Sequence, residues 1–479
     1  MQFKIIFKVI GMLLMLFSIT QLPPIFIDII YGEDMKYPFL INFTFSLFIG
    51  VIAWYPVRKI KQGFHIREGV LVVVSFWIVL SLFGSIPFVL IDISFTNAFF
   101  ESMSGLTTTG ATILTGLDNL PKALLYYRQQ LQWLGGMGII ALAIAILPML
   151  GVGGMQLYRA ETPGINKDKL TPKIAHTAKV LWIIYMSLTI ICALFYYLAG
   201  MSLFDAITHS FSTIAIGGFS THDASIAYFQ SSNIELVAII FMAISGVNFS
   251  LHFVAWQRRS FKNYFKDIEF KTYFLILSFL AVITFFVLYF DDYYPTSSET
   301  IRHATFQAVS IATTTGFASQ NYSLWPAILP VLLIFASFSG ACAGSTGGGM
   351  KVIRTILLFK QGIKEIKNLI HPSARVVVKI GDKAIQPKII MAVWGFLSLY
   401  VFMFVVVMLS LMFTGLDQVT AFSATAASIN NLGPGLGEVA EHYANINDVA
   451  KWVLSFAMLL GRLEILTLIA MFHRSFWQF

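Results

Sequence analysis

The chain has little charge for its length. Only 12% of its 479 residues are Asp, Glu, Lys or Arg, whereas 57% are hydrophobic, and the mean hydropathy is +0.76. An average soluble domain carries about 25% charged residues, so the composition excludes a cytosolic enzyme and a disordered regulator. Several stretches of about 20 residues are almost free of charge, which is the length that crosses the hydrocarbon core of a bilayer. We therefore predict an all-α polytopic membrane protein.

Cysteine is scarce as well, and other signals of enzyme chemistry are missing. Cys192 and Cys342 lie in apolar or glycine-rich sequence, so no disulfide framework is predicted. The nine histidines form no ligand-spaced cluster with cysteines or carboxylates, which argues against a metal site. The serine of CAGSTG has no base paired with it in sequence, and no glycine loop follows a strand as in nucleotide sites. We predict that the chain is not an enzyme and holds no cofactor of its own.

The positive charge is concentrated in alternate connections. The net charge of +8 would suggest a nucleic-acid partner in a soluble protein. Here 26 of the 32 Lys and Arg lie at the termini and in segments 58–67, 159–179, 258–271 and 351–388. This positive-inside pattern predicts that both termini and the basic segments are cytoplasmic. Binding of anionic lipid by those segments is compatible with the same placement, and no nucleic-acid partner is predicted.

Ten apolar stretches are candidate membrane crossings, and an even number agrees with both termini on one side. The first has no small-x-small cleavage site of a signal peptide, so we predict a membrane helix bent near Pro23 and Pro24. The ten stretches cover residues 5–29, 38–57, 69–91, 126–149, 178–199, 232–256, 270–290, 325–358, 387–413 and 449–472.

Four further segments share one internal order: about a dozen helical residues, a glycine-containing turn and a polar exit. The glycines at their turns are spaced by 108, 98 and 117 residues, and a serine lies six residues before the first three, with an alanine in the fourth. This period indicates four copies of a helix, half-helix with loop, helix unit. The segments are 97–112 (NAFFESMSGLTTTGAT), 205–220 (DAITHSFSTIAIGGFS), 303–318 (HATFQAVSIATTTGFA) and 420–435 (TAFSATAASINNLGPG).

The repeat predicts four pseudo-repeated helix–pore loop–helix units around a central pore, with ten membrane crossings and four half-helices in all. Residues 1–67 form an extra N-terminal helix pair outside the repeat. Pore repeats 1 and 2 are predicted at 68–157 and 158–260. Repeat 3, with a broken helix and a gating loop, is predicted at 261–370, and repeat 4 at 371–479.

Re-entrant backbone at membrane depth must be buried in protein or face water, and exposed carbonyls suit a dehydrated monovalent cation. A glycine in each loop permits the positive φ that turns a carbonyl inward, and the half-helix C-termini carry partial negative charge. The threonines at 107–109 and 313–315 suit an extended filter wall. A single loop of this kind is also compatible with a plain Gly-Thr-rich turn, whereas four in register on one side favour a cation pore.

The eighth predicted crossing is interrupted by glycines. Five glycines fall within ten residues of the segment from Ser339 to Lys351, and each disfavours helix by about 1 kcal/mol. We predict an unwound segment in mid-membrane beneath the filter. A flexible hinge or a small-residue packing face is the alternative.

Three charged residues lie in apolar sequence with their roles open. Arg462 lies near the centre of the last predicted crossing, where an unpaired charge costs about 2.5–3.5 kcal/mol, and Glu464 points to another helix face. Arg462 is either a functional residue that faces the bundle interior or a structural tie to loop carbonyls. Lys351 is part of the gate or an interfacial anchor. Glu101 is a hydrogen-bonded strut or an electrostatic attractor.

Several motifs together resemble the Trk/Ktr/HKT superfamily of potassium uptake proteins, and within it the bacterial TrkH/TrkG-type transmembrane subunits. The resemblance covers essentially the whole chain, including the extra helix pair. The motifs are TTTGAT at 107–112, STIAIGGFSTHDAS at 212–225, ATTTGF at 312–317, INNLGPGLGE at 429–438, QWLGGMG at 132–138 and GACAGSTGGGMKV at 340–352.

The resemblance implies a selectivity filter at the aligned glycines and a gate at the interrupted helix. In related plant transporters a serine at the first filter position goes with sodium preference, and the four glycines here favour potassium. The implied filter residues are Thr108, Thr109, Gly110, Ile216, Gly217, Gly218, Thr314, Thr315, Gly316, Asn431, Leu432 and Gly433. The implied gating residues are Gly340, Gly344, Ser345, Thr346, Gly347, Gly348, Gly349, Lys351 and Arg462.

The implied function is potassium uptake through a selective pore gated by the intramembrane loop, with K⁺ as the permeant ion. A secondary transporter coupling potassium to protons or sodium is the alternative. Such a transporter is expected to carry midplane carboxylates or histidines, and few are present, mainly Glu464. The resemblance also implies a homodimer in the bacterial inner membrane. A cytosolic TrkA-like subunit would supply any NAD(H) or ATP/ADP regulation and could dock on the basic loops 158–179 and 351–388.

Overall fold

The computed structural model describes residues 3–60, 66–145, 170–381 and 383–478, and regular structure in these ranges is almost entirely helical. The lone sheet among them is an antiparallel pair of two-residue strands, β1 (Lys379–Ile380) and β2 (Lys383–Ala384). The helices are α1 (Phe3–Ile19), α2 (Leu22–Tyr31), α3 (Lys36–Trp54), α4 (Ile66–Gly84), α5 (Ile86–Val89), α6 (Phe95–Leu106), α7 (Lys122–Ala145), α8 (Leu170–Leu198), α9 (Leu203–Ala215), α10 (Ser232–Ser245), α11 (Phe249–Gln257), α12 (Lys262–Lys266), α13 (Ile268–Phe290), α14 (Ser297–Ala312), α15 (Ile328–Ser339), α16 (Val352–Ile370), α17 (Pro387–Phe413), α18 (Gln418–Ile429), α19 (Asp448–Arg462), α20 (Ile465–Phe472) and α21 (Arg474–Trp477).

Six spans within the described residues are long and apolar enough to cross a membrane, and two sharply bent helix pairs raise the number to eight. Large apolar side chains cover their outer faces: Leu275 on α13 is 68% exposed and Phe402 on α17 is 61% exposed. Such surfaces suit hydrocarbon rather than water. The chain is therefore a multi-pass, helix-rich membrane protein. The six spans are Phe3–Tyr31, Lys36–Val57, Arg67–Val89, Ala178–Leu198, Ile268–Phe290 and Pro387–Phe413.

Three of the predicted crossings are broken. The sixth predicted crossing bends by 89° between α10 and α11, and the tenth by 114° between α19 and α20. Neither bend was expected. The second has no proline, and Glu464 adopts a φ of 54° at the break. The eighth crossing is interrupted between Ser339 and Val352, where the glycine count predicts unwinding.

The predicted N-terminal helix pair is present and packs closely. The first span is interrupted where α1 ends and α2 begins, with Pro23 and Pro24 in the first turn of α2, a position that tolerates the missing N–H groups of proline. Gly11 of α1 faces Gly50 of α3, and a methyl group on Gly11 would lie 2.7 Å from the Gly50 carbonyl oxygen. Small residues at this crossing let the two backbones approach.

Four short helices, one per predicted repeat, begin at a side-chain cap. Each cap oxygen accepts a backbone N–H of the first turn, which satisfies a donor that the helix itself leaves unpaired. The pairs are Ser94 with Asn97 on α6, Ser202 with Asp205 on α9, Thr296 with Glu299 on α14, and Asp417 with Val419 and Thr420 on α18. The caps fix where each short helix enters the fold.

Three buried apolar clusters lie between these short helices and the long ones. The first joins α1, α4, α6 and α7 to the last helices of the chain, and the second joins α13 to α18. The third holds α8, α9 and α10 together. The C-terminal parts of the short helices are thus buried in protein, and they lead into one region of the fold, where their loops meet. The first boundary between repeats, at 157/158, lies outside the described residues.

Candidate functional site

The four short helices end in the same turn. In each one, the residue before the aligned glycine donates its N–H to the carbonyl six residues before that glycine. These bonds are Thr109 to Ser104 (2.9 Å), Gly217 to Ser212 (2.8 Å), Thr315 to Ser310 (2.8 Å) and Leu432 to Ala427 (2.7 Å). A second bond starts one residue earlier: Thr108 to Gly105, Ile216 to Thr213, Thr314 to Ile311 and Asn431 to Ser428. Both bonds together form a Schellman motif, so the repeat seen in the sequence is present in the hydrogen bonding.

Each turn has the same pattern of backbone angles. The residue two before the glycine takes a left-handed φ in every loop, and so does the glycine, whereas the residue between them does not. A left-handed non-glycine residue costs about 1–2 kcal/mol, and such strain is typical of functional sites. Alternating left- and right-handed residues turn successive carbonyls to one side of the chain. The angles are Thr108 52°, Ile216 54°, Thr314 69° and Asn431 53°, then Gly110 84°, Gly218 78°, Gly316 82° and Gly433 98°.

The four loops contact one another in a closed ring, which we call the carbonyl ring. A methyl group on each aligned glycine would meet, as its nearest atom, a carbonyl oxygen of the next loop. The series runs from Gly110 to Gly217, from Gly218 to Thr315, from Gly316 to Leu432, and from Gly433 back to Thr109, the last at 2.7 Å. The structure therefore brings together all four predicted glycines and the residues before them, and leaves no room for a side chain at those positions.

Two threonines of the first loop hydrogen-bond to each other, and two threonines of the third loop do the same. Thr107 and Thr109 share a hydrogen bond of 2.8 Å, and Thr313 and Thr315 share one of 2.7 Å. The fourth loop carries Asn431 instead, whose amide donates to the Thr109 hydroxyl at 2.9 Å. The predicted filter wall thus contains a side-chain network that links the first and fourth loops.

Glu101 is a strut behind the first loop. Its carboxylate accepts from Arg128 Nε at 2.7 Å, from the backbone N–H of Ile113 at 2.9 Å and from the Thr112 hydroxyl at 3.0 Å. Arg128 also donates to the Ser220 carbonyl of the second loop at 3.2 Å. Both charged side chains are almost fully buried, so Glu101 ties the first loop to the second rather than facing ions.

Replacing Glu101 by Gln leaves the buried Arg128 guanidinium without its carboxylate. Removing one partner of a buried ion pair costs about 3–5 kcal/mol, so we expect Glu101→Gln to lower the temperature at which the detergent-solubilised protein loses monodispersity. The double variant Glu101→Gln, Arg128→Gln leaves no unpaired charge and should recover part of the loss. A double variant no more stable than the single one would show that the pair is not the stabilising contact.

The interrupted segment, residues 340–351, lies against the C-terminal ends of three short helices. Gly348 N–H donates to the Thr314 hydroxyl at 2.7 Å, and Gly349 N–H donates to the Asn430 carbonyl at 3.1 Å. Thr346 donates its hydroxyl to the Ile214 carbonyl at 2.9 Å. The glycines allow this approach, since a methyl group on Gly348 would overlap the Asn430 carbonyl oxygen. The segment is packed directly beside the turns that lead into the carbonyl ring.

Arg462 holds this segment from the side. Its guanidinium donates to the Thr346 carbonyl at 3.0 Å and to the Gly135 carbonyl at 3.4 Å, and the side chain is buried. Arg462 ends α19 instead of lying in mid-helix. Glu464 pairs with Arg354 at 2.6 Å, so it does not neutralise Arg462.

Two more side chains hold the ends of the interrupted segment. Lys351 donates to the Gly347 carbonyl within the segment, so it is part of the loop and not only an anchor at its end. Glu269, in the first turn of α13, accepts from the N–H groups of Ala343 at 2.7 Å and Ile353 at 3.1 Å. The sequence carries no signal of this contact, because Glu269 precedes Ala343 by 74 residues and Ile353 by 84 residues.

His222 lies among carboxylates after the second loop. Its ring contacts Asp118 through Nδ1 and Asp205 at 3.6 Å through Nε2, and stacks on Tyr228. Burial lowers the pKa of His222, but the contacts with Asp205 and Asp118 outweigh it and raise the pKa above its ordinary value. Protonated His222 is therefore stabilised here. The sequence gives no signal of the pairing, because the three residues come from distant segments.

A raised pKa in the folded protein means that His222 stabilises the fold below its ordinary pKa, and that this contribution disappears as the pH rises through the raised value. The unfolding temperature of wild type should exceed that of His222→Gln by more at pH 6 than at pH 9. Asp118→Asn should reduce this pH dependence. An equal difference at both pH values would contradict the assignment.

Comparison with known proteins gives three findings. Residues 36–478 match the family model TrkH, described as cation transport protein. The Trk system potassium uptake protein TrkH of Vibrio parahaemolyticus is 54% identical over the full length of both chains, and TrkG of Escherichia coli K12 is 41% identical over 99% of both. The crystal structure of the potassium transporter TrkH from Vibrio parahaemolyticus superposes with a TM-score of 0.94 at 52% identity, covering all of both chains.

Proposed function

This chain belongs to the TrkH family of cation transport proteins, and from that premise we propose that it takes up potassium through a selective pore. The observation that carries the proposal is the carbonyl ring, in which four loops with one hydrogen-bond pattern contact each other in chain order. Peptide oxygens arranged this way replace the hydration shell of a monovalent cation. The names of the relatives, which are potassium uptake proteins, support potassium as the ion.

The filter is proposed at the residues that make the ring and its left-handed turns: Thr108 to Gly110, Ile216 to Gly218, Thr314 to Gly316 and Asn431 to Gly433. The support is the alternating φ pattern and the absence of space for any Cβ at the four glycines. The proposed layout is ten crossings and four pore repeats after the N-terminal pair, with repeat boundaries near 68, 158, 261 and 371. The bent pairs and α15 with α16 would each count as one crossing in that layout, and α7 would supply another.

The gate is proposed at residues 340–351 with Arg462. The segment packs under three of the four turns and is held by a buried cation. A guanidinium beside the path repels a permeating cation, and a chain segment across the path excludes it by volume. Opening then requires the Arg462 to Thr346 contact to break.

A gated conduit fits the charged groups better than a coupled transporter does. A coupled transporter is expected to present titratable groups to its path. Among the described residues near the ring and the gate, the carboxylates of Glu101 and Glu464 are engaged by Arg128 and Arg354, and Glu269 is bonded to backbone N–H groups. None of these carboxylates is left to carry a proton through the membrane.

We place the protein in the bacterial inner membrane with both termini cytoplasmic, as the basic segments indicate. A homodimer and a cytosolic TrkA-like nucleotide-binding subunit are proposed from the family, with the basic segment 351–388 as one docking surface. Residues 158–169 of the other basic segment lie outside the described residues. Any NAD(H) or ATP/ADP would act through that subunit, and K⁺ is the cargo rather than a resident cofactor.

The test is rubidium uptake into liposomes that hold the purified chain. We expect uptake down a potassium gradient, competition by excess K⁺ and weaker competition by Na⁺. An imposed proton gradient should leave the rate unchanged when the membrane potential is matched between samples with and without the gradient. Uptake against the potassium gradient when protons or sodium flow would replace the conduit by the coupled transporter.

A further inference from the structure

We infer that Gln132, on α7, sets the ion selectivity of the carbonyl ring by clamping the second loop; this rests on the proposed function of the ring. The Gln132 carboxamide forms hydrogen bonds with the two residues that flank Gly218. Gln132 Nε2 donates to the Gly217 carbonyl at 2.6 Å, and the Phe219 N–H donates to Gln132 Oε1 at 3.1 Å. The side chain is fully buried. One amide therefore fixes the peptide that supplies a ring oxygen.

The fold is shaped to admit this side chain. A methyl group on Gly217 would lie 2.8 Å from Gln132 Nε2, so the glycine leaves the space that the amide fills. One turn further along α7, Gly135 and Gly136 let the helix approach the ends of α6 and α9: a methyl group on Gly136 would lie 3.0 Å from Ala215 Cα. The close approach places position 132 level with the ring.

The hydrogen bond from Gln132 makes the four oxygens of the carbonyl ring unequal. The ring oxygens of Thr109, Thr315 and Leu432 accept no hydrogen bond from another described residue, whereas that of Gly217 accepts one from Gln132. A carbonyl oxygen has two lone pairs, so Gly217 can still contact an ion. The hydrogen bond from Gln132 Nε2, however, fixes the position of the Gly217 oxygen and reduces the partial negative charge that this oxygen offers to an ion. Selectivity depends on the number and field strength of coordinating carbonyls, so one oxygen held at a fixed distance limits contraction of the ring around a smaller ion.

Gln132→Met tests the inference, because Met has a similar volume and forms neither bond. We expect the ratio of potassium to sodium competition for rubidium uptake to fall about fivefold, which is the typical effect of one hydrogen bond, while uptake itself persists. Gln130→Met is the matched control. Gln130 is a buried amide on the same helix that donates to the Thr20 carbonyl at 3.0 Å, away from the ring. Its variant should keep the wild-type ratio.

Should Gln132→Met yield no folded protein, Gln132→Asn decides the matter, since its amide is also neutral but is one methylene too short to bond Gly217 and Phe219 together. An unchanged ratio in a folded Gln132 variant, or an equal fall in Gln130→Met, overturns the inference. If the proposed function itself is wrong, the wild-type protein shows no saturable rubidium uptake with which potassium competes. The two failures are therefore distinguishable.

Discussion

Gly316→Ala should abolish most potassium flux while the protein still inserts and folds. A methyl group there would overlap the Leu432 carbonyl oxygen and lie 2.7 Å from Pro434 Cδ, at a φ of 82°. The left-handed angle alone costs about 1–2 kcal/mol for alanine, equivalent to a reduction of about tenfold. Displacement of the Leu432 oxygen from the carbonyl ring lowers the flux further. Initial rates of rubidium uptake per reconstituted protein measure the effect.

Gly395→Ala is the matched control for this substitution. Gly395 lies within α17, and a methyl group there would meet nothing within 4 Å. Alanine also favours helix over glycine by about 1 kcal/mol, so neither flux nor folding should suffer. Equal flux in Gly316→Ala and Gly395→Ala would mean that the loop glycines do not shape the path.

Arg462→Ala should raise flux through the purified protein. The substitution removes two hydrogen bonds from a charged donor, to the Thr346 and Gly135 carbonyls. Hydrogen bonds to charged groups contribute about 1.5–3 kcal/mol each, and loss of one is enough to shift the closed segment toward the open state by about tenfold or more. The proposed repulsion of ions by the guanidinium charge is lost as well. Uptake of rubidium in the absence of any regulatory subunit measures the change.

Lys451→Ala is the control for Arg462→Ala, because Lys451 is a buried cation on the same helix that donates to the Ala444 carbonyl at 3.2 Å. It does not contact residues 340–351, and flux should stay at the wild-type level. A purely structural role for Arg462 would lower the yield of folded protein without raising flux. Unchanged flux in a folded Arg462→Ala variant would remove Arg462 from the gate.

Local signals in the sequence account for the half-helices, their glycine turns and the interrupted eighth crossing. Each depends on residues close together in the chain: a cap such as Ser94, a glycine such as Gly110, or several glycines between Ser339 and Lys351. The period of about 100 residues between the loops predicts that they are equivalent. The matching Schellman turns show that equivalence in the backbone.

Contacts between distant segments could not be predicted. The roles of Gln132 and Glu269 depend on which backbone groups they reach across 85 and 74 residues of chain. The bend at Arg462 carries no proline signal; it occurs where Gly461 packs on the Ile429 carbonyl, a tertiary contact. The choice between a strut and an attractor for Glu101 likewise required the position of Arg128. Side-chain partners follow from the assembled fold, whereas the turns follow from local sequence.

The most direct measurement of the central claim is anomalous X-ray diffraction from crystals of the protein grown in rubidium. A dehydrated ion held by peptide oxygens should give a peak on the axis between Thr109, Gly217, Thr315 and Leu432, which weakens when K⁺ replaces rubidium. Four loops that enclose no such peak, with rubidium bound at side-chain carboxylates elsewhere, would contradict the claim.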